Sequence, residues 1–127
     1  MIRNRDRRRI WKRGERAARR WMRIRGWRIL GRNVRIGRDE LDIVAIPRRG
    51  KVLAIVEVKA TGGSRSTLHR VDVPKQRRVA RAAERLPRGW RRGRRLRFDV
   101  ACVEVGRWRC RVRLMEAAFD DSRPRIR

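Results

Sequence analysis

The sequence predicts an α/β domain with a mixed central sheet of about five strands flanked by helices, in the order α-β-β-β-α-β-β. Three observations predict it. Two stretches, 14–25 and 74–86, carry apolar residues at helical spacing. Between and after them lie β-rich or alternating runs bounded by Gly, Pro and Asp turn signals. The length of 127 residues suits one domain with one core, and a 40% hydrophobic content is too high for a disordered basic tail.

Residues 1–13, MIRNRDRRRIWKR, read as a basic N-terminal arm in which Arg7, Arg8 and Arg9 are candidate phosphate contacts. A single α/β domain is expected over 14–119 and a basic C-terminal tail over 120–127. From Gly14 to Arg25 the residues Ala17, Ala18, Trp21, Met22 and Ile24 form a helical face, with Glu15 in the opening turn, where the helix dipole favours an acid. Gly26 ends that helix, and Trp27–Ile36 is extended. Gly37-Arg38-Asp39 is a turn, Glu40–Ile46 a strand closed by Pro47, and Val52–Lys59 the most apolar run and hence the central strand.

Ala60–Val73 has loop composition and contains the lone histidine, His69, which is read as incidental. Pro74 opens a second helix whose face is Val79, Ala82, Ala83 and Leu86, and Pro87-Arg88-Gly89 stops it. Arg94–Val105 and Trp108–Met115 alternate and make a closing hairpin. A hairpin centred on Gly106 would set Cys102 opposite Cys110; the plainer reading makes them two small buried hydrophobes.

A formal charge of +27, from 40 Lys and Arg against 13 Asp and Glu, makes a polyanion the expected partner. Nucleic acid, with DNA favoured over RNA, is the first choice. No apolar run approaches the ~18 residues of a membrane span, so no membrane partner is expected and a cytoplasmic, nucleoid-associated location follows. Two cysteines are too few for a disulfide scaffold. All but four basic residues are arginine, the exceptions being Lys12, Lys51, Lys59 and Lys75. Each lysine therefore draws attention, because an ammonium suits proton chemistry or the holding of a single oxygen.

Asp42 and Glu57 interrupt strands that otherwise read as buried. If Arg49-Gly50 is a two-residue hairpin loop, Asp42 lies opposite Glu57, with Cβ atoms ~5 Å apart. If 47–50 is a four-residue loop, Glu57 faces Glu40 and Asp42 becomes its diagonal neighbour. Two such carboxylates repel unless a cation or a shared proton intervenes, and a hard ion, Mg²⁺ or Mn²⁺, is the simplest remedy. Lys59 shares a strand face with Glu57, and the Val58 backbone carbonyl is a further candidate ligand. Metal, carboxylates and ammonium together fit phosphodiester hydrolysis.

Gly14-Glu15 with Ala18, Gly26-Trp27-Arg28-Ile29-Leu30 with Asn33 and Arg35, Glu40-Leu41-Asp42-Ile43-Val44, Val56-Glu57-Val58-Lys59, Lys75-Gln76 and Arg97-Phe98-Asp99-Val100 occur in one order and spacing. In these residues the chain resembles the YraN-like family of poorly characterised bacterial proteins with a restriction-endonuclease-like fold. The resemblance implies that Asp42, Glu57 and Lys59 occupy the metal-binding and catalytic signature of that fold, and that Glu15 approaches the same site from the first helix. The family pattern has Gly where this chain has Asp39, and an Arg shortly after the lysine where this chain has Ala60-Thr61.

The expected activity is divalent-metal-dependent DNA endonuclease cleavage, with branched or structured DNA a candidate substrate and a homodimer suggested by analogy with nucleases of this fold. Arg35, Lys75 and Gln76 join the arm arginines as candidate nucleic-acid contacts. The alternative from another class is a non-catalytic DNA- or RNA-binding or packaging protein that retains a nuclease fold. Among the tryptophans, Trp11 and Trp90 lie among arginines and could stack on unpaired bases, the others being core or anchor residues.

Overall fold

A computed structural model describes residues 4–62 and 73–119. Its elements are α1 (Asn4–Ile24), β1 (Arg28–Ile36), β2 (Asp39–Ile46), β3 (Val52–Gly62), α2 (Val73–Glu84), a short α3 (Arg88–Arg91), β4 (Arg95–Val105) and β5 (Cys110–Phe119). The strands form one sheet in chain order. All neighbouring pairs are antiparallel except β3 and β4, which run parallel and are joined through α2. The element order is the one the sequence implies, with α3 added.

Two helices on opposite faces explain why the first half of β3 has no polar side: Val52, Leu53, Ala54, Ile55 and Val56 are all buried. On one face, Ala18 and Met22 of α1 pack on Ala54, Val56, Val58, Ala101 and Val103. On the other, Ala80, Ala82, Ala83 and Leu86 at α2 pack on Leu53, Ile55, Phe98 and Val100. Gly14 lets α1 come so close to β3 that a Cβ there would stand 2.5 Å from the Ala60 Cβ. α1 ends in a Schellman motif: the Trp27 N–H donates to Met22 O and the Gly26 N–H to Arg23 O, both at 3.0 Å, with Gly26 at φ +83°.

Several boundaries differ from the sequence reading. α1 begins at Asn4 rather than Gly14, so residues 4–13 form its first turns; the helix propensity of arginine and the Ile10 contact with Gly62 carry it outward. β3 extends to Gly62, because residues Ala60 to Gly62 stay paired with Val103 to Val105. His69 and the rest of 63–72 lie outside the described residues, as do 1–3 and 120–127. The β4–β5 turn spans 106–109, where the Gly106 N–H donates to Arg109 O at 2.8 Å, and this pairs Cys110 with Val105 and Cys102 with Arg113. The two thiols are therefore not opposite each other and both are free. Trp108 falls in that turn and not on the strand.

Candidate active site

The β2–β3 register decides the geometry. Ile43 pairs with Val56, Val44 with Ile55 and Ala45 with Ala54, which is the register that sets Asp42 against Glu57. The connection is longer than a two-residue loop, running from Pro47 to Lys51, yet it preserves this alignment. Backbone pairing stops at Ile43, and Asp42 takes over with its side chain: Oδ2 accepts the Val58 N–H at 2.8 Å. The N–H and C=O of one strand residue point to the same neighbouring strand. The Val58 carbonyl is thus turned to the Asp42 side.

Glu57 Oε1 is shared by two ammonium groups, Lys59 Nζ at 3.3 Å and Lys75 Nζ in close contact from the first turn of α2. The Glu57 side chain is only 11% exposed. Burial pushes the Asp42 carboxyl up to about 6, with the charges of Glu57 and Glu15 adding to the rise and the Val58 N–H and Lys75 opposing it. Burial works against the charge on Lys75, but hydrogen bonding and attraction to Glu57 outweigh it and raise its pKa. A cavity of about 10 Å³, room for roughly one water or ion, is lined by Glu40, Leu41, Asp42, Ile55, Val56, Glu57, Val79 and Asp99.

Glu15 is buried on α1, where Oε1 accepts from Arg19 at 2.9 Å. Burial raises its pKa against the lowering effects of Arg19, Asn33 and Arg32. Its charge is felt at Asp42, while its ion-pair partner Arg19 lies on its own helix and Asn33 hydrogen-bonds it from β1. Arg35 is exposed on β1 and pairs with Glu40 at 3.6 Å. Arg7, Arg8 and Arg9 are exposed on α1. Gln76 is buried, and Lys75 reaches Glu57 from α2.

Sequence reasoning assigned Lys75 to phosphate and missed it as the partner of Glu57; its rarity among 40 basic residues was the available signal. It also missed that Asp99 borders the same cavity. Asp99 accepts from the Arg97 fork, Nη2 at 2.8 Å and Nε at 2.9 and 3.2 Å, and accepts the Ala117 N–H at 2.9 Å. There β5 carries two extra residues relative to β4 and Ala117 adopts φ +49°. Burial raises the Asp99 pKa against the lowering effect of Arg97.

A mixed sheet between two helices, with an acid on one strand and Glu-x-Lys on the next, is the restriction-endonuclease-like fold. The chain matches the model of the Uncharacterised protein family UPF0102 over residues 14–103 and belongs to that family, the YraN family. It is 44% identical over 102 residues to a UPF0102 protein of Rhizorhabdus wittichii, covering 80% of this chain and 83% of the relative. To a UPF0102 protein of Symbiobacterium thermophilum it is 41% identical over 116 residues, covering 88% of this chain and 97% of the relative.

A divalent ion was expected from the sequence, and the donor set bears on it in two ways. Among the described residues no three acidic, His or Cys side chains converge to cage an ion. Mg²⁺ does not require such a cage, since it keeps several waters and is usually held by one or two carboxylates together with substrate phosphate. Asp42 and Glu57 on adjacent strands, beside a cavity of about 10 Å³, fit that mode.

Proposed function

We propose that this protein is a divalent-metal-dependent endonuclease acting on DNA, with Mg²⁺ or Mn²⁺ held by Asp42, Glu57 and the Val58 carbonyl. The observation that carries the reading is the placement of Asp42 and Glu57 at the end of the β2–β3 ladder with Lys59 on the same strand face. When bound, the ion supplies Lewis-acid activation of the phosphate and the attacking water. Lys59 is the residue placed to orient that water or to steady charge on a phosphate oxygen. Lys75, which pairs with Glu57 from the start of α2, would supply a second cation for the phosphate. Exposed arginines on α1 and Arg35 on β1 hold the remainder of the polynucleotide. Nucleoid association follows from DNA as the partner, and a homodimer would serve the two strands of a duplex.

A second reading, a non-catalytic nucleic-acid-binding or packaging protein, is favoured by one observation. Glu57 already has two lysine partners and is neutralised without any metal. Cleavage of linear, single-stranded and four-way-junction DNA with Mg²⁺ or Mn²⁺, compared for wild type, Glu57→Gln and Lys59→Ala, decides between them. Metal-dependent cutting lost in both variants, with binding retained, is the expected result. Binding without cutting by all three proteins would leave the packaging reading in its place.

A further inference from the structure

Of the five tryptophans, four are half-buried, Trp11 and Trp90 included. Trp90 rests on Gly31, where a Cβ would meet Val34 Cγ2 at 2.7 Å and the Trp90 ring at 3.2 Å. Trp108 is the exception, 83% exposed at the tip of the β4–β5 hairpin. The tip reads Arg107-Trp108-Arg109, and the Arg107 guanidinium lies 5.3 Å from the indole centroid. It is also braced. The Gly106 N–H closes the turn on Arg109 O, and Arg13 Nη1 reaches from α1 to donate to Gly106 O at 2.8 Å. An indole held out into water by a braced turn, between two permanent cations, is chemically a platform for a nucleobase with its phosphates on either side.

The sheet connects this platform to the candidate active site. Lys59 pairs with Cys102 and Cys102 with Arg113, so Lys59 and Arg113 stand in one cross-strand row and on one face. Both cations are close enough to act on the Cys102 thiol, whose pKa burial raises and they lower. The next row towards the tip is Thr61, Glu104 and Arg111. Arg111 and Arg113 are exposed, and Glu104 is the one acid between them and the central strand. From Lys59 to the tip the path is three residues of β3, about one and a half strand spacings and the turn itself, ~15–20 Å in all. At a rise of ~3.4 Å this spans about five base pairs of duplex.

We propose that Trp108 stacks on an unpaired or unstacked base and so directs the protein to DNA with a helical discontinuity, with Arg111 and Arg113 guiding the adjoining backbone towards Lys59. The inference rests on the nuclease reading for what happens at Lys59, but the base-stacking role is measured by binding alone.

The test is fluorescence anisotropy of wild type, Trp108→Ala, Trp108→Phe and Arg111→Ala/Arg113→Ala on a perfect duplex and on the same duplex with a single-base bulge. A 2-aminopurine in the bulge reports stacking directly. Trp108→Ala is expected to weaken bulge binding about tenfold, to leave perfect-duplex binding within about twofold and to abolish the 2-aminopurine quench. Trp108→Phe should restore part of both. The double arginine variant should weaken binding to both DNAs and lower the log–log salt slope by about two. Equal losses on the two DNAs, no loss on either, or an unchanged quench would overturn the proposal. So would a Trp108→Ala defect on phosphatidylglycerol vesicles with none on DNA, which would assign the tip to a lipid surface. Wild type measured in EDTA separates the two claims: it should keep the bulge preference without metal, and if it then cuts no DNA with Mg²⁺ or Mn²⁺ the nuclease reading fails and the stacking site stands.

Discussion

Asp42→Asn should make the protein more stable at neutral pH, and the gain should disappear in acid. Burial, assisted by the negative charges of Glu57 and Glu15, moves the Asp42 carboxyl from 3.8 to about 6. In the unfolded chain the group ionises near 3.8, so between these values the folded state holds a proton that the unfolded state has lost. Stability attributable to Asp42 therefore falls as pH rises through this window and stays low above it. A displacement of about two pH units corresponds to about 3 kcal/mol. An amide keeps an oxygen acceptor for the Val58 N–H but makes a weaker bond than a carboxylate, returning about 1–2 kcal/mol of that gain. The net gain above pH 6 is then about 1–2 kcal/mol, roughly 4–8 °C in Tm for a domain of this size. Thermal unfolding of both proteins across pH 4 to 8 measures it, with the Tm gap closing near pH 4. At pH 7.5, millimolar Mg²⁺ should raise the wild-type Tm and leave the variant unmoved. A gap independent of pH, or a variant less stable throughout, would mean that Asp42 is not strained by its surroundings.

Other parts of the fold give further expectations. Arg19→Ala leaves Glu15 buried without its ion-pair partner and should cost about 3–5 kcal/mol by denaturant titration, whereas Glu15→Met/Arg19→Met together should cost far less. Ala117→Gly should raise Tm by a few degrees, since Ala117 sits at φ +49° and the left-handed region costs a non-glycine residue about 1 kcal/mol. Gly14→Val should destabilise by at least about 1–3 kcal/mol, because even a Cβ would meet the Ala60 Cβ at 2.5 Å. Lys75→Arg should reduce the Mg²⁺-induced Tm rise while leaving apo stability within about 1 kcal/mol, read by the same thermal scan.

What the sequence made legible was whatever depended on local pattern. Apolar spacing located both packing helices, and the continuous run Val52–Val56 marked a strand covered on both sides, as β3 is. The β2–β3 register was readable down to two alignments, two residues apart and with the same faces inward, and the structure takes the one that sets Asp42 against Glu57. The register at the other hairpin was not. A turn centred on Gly106 and a turn over 106–109 differ in which residues of two arginine-spaced strands pair, and composition alone does not choose; the tie from Arg13, distant in sequence, is part of what holds the observed turn. The start of α1 was hidden for a similar reason: a run of arginines has no apolar period, and the helix gains its outer turns through contacts with the ends of β3 and β4. Lys75 could be placed on a helix from Pro74 onward, but its meeting with Glu57 is a tertiary fact that no spacing encodes.

The partners of the acids separate structure from chemistry. Glu15 and Asp99 are nearly inaccessible, and each is held by an arginine, Arg19 in one case and the fork of Arg97 in the other. Glu57 is held instead by Lys59 and Lys75, two of only four lysines in the chain. A guanidinium fixes a carboxylate in plane through parallel bonds, whereas an ammonium is a compact point charge on a flexible stem that a metal ion can replace. In a chain that otherwise answers nearly every demand for positive charge with arginine, a structural ion pair at Glu57 would be met by arginine too. The exchangeable cations sit where the proposed reaction would need the acid released, beside Asp42, whose carboxyl burial pushes up to about 6. On this logic Glu15 and Asp99 are braces of α1 and of the β5 irregularity, and the proposed chemistry would fall to Asp42, Glu57 and the two lysines.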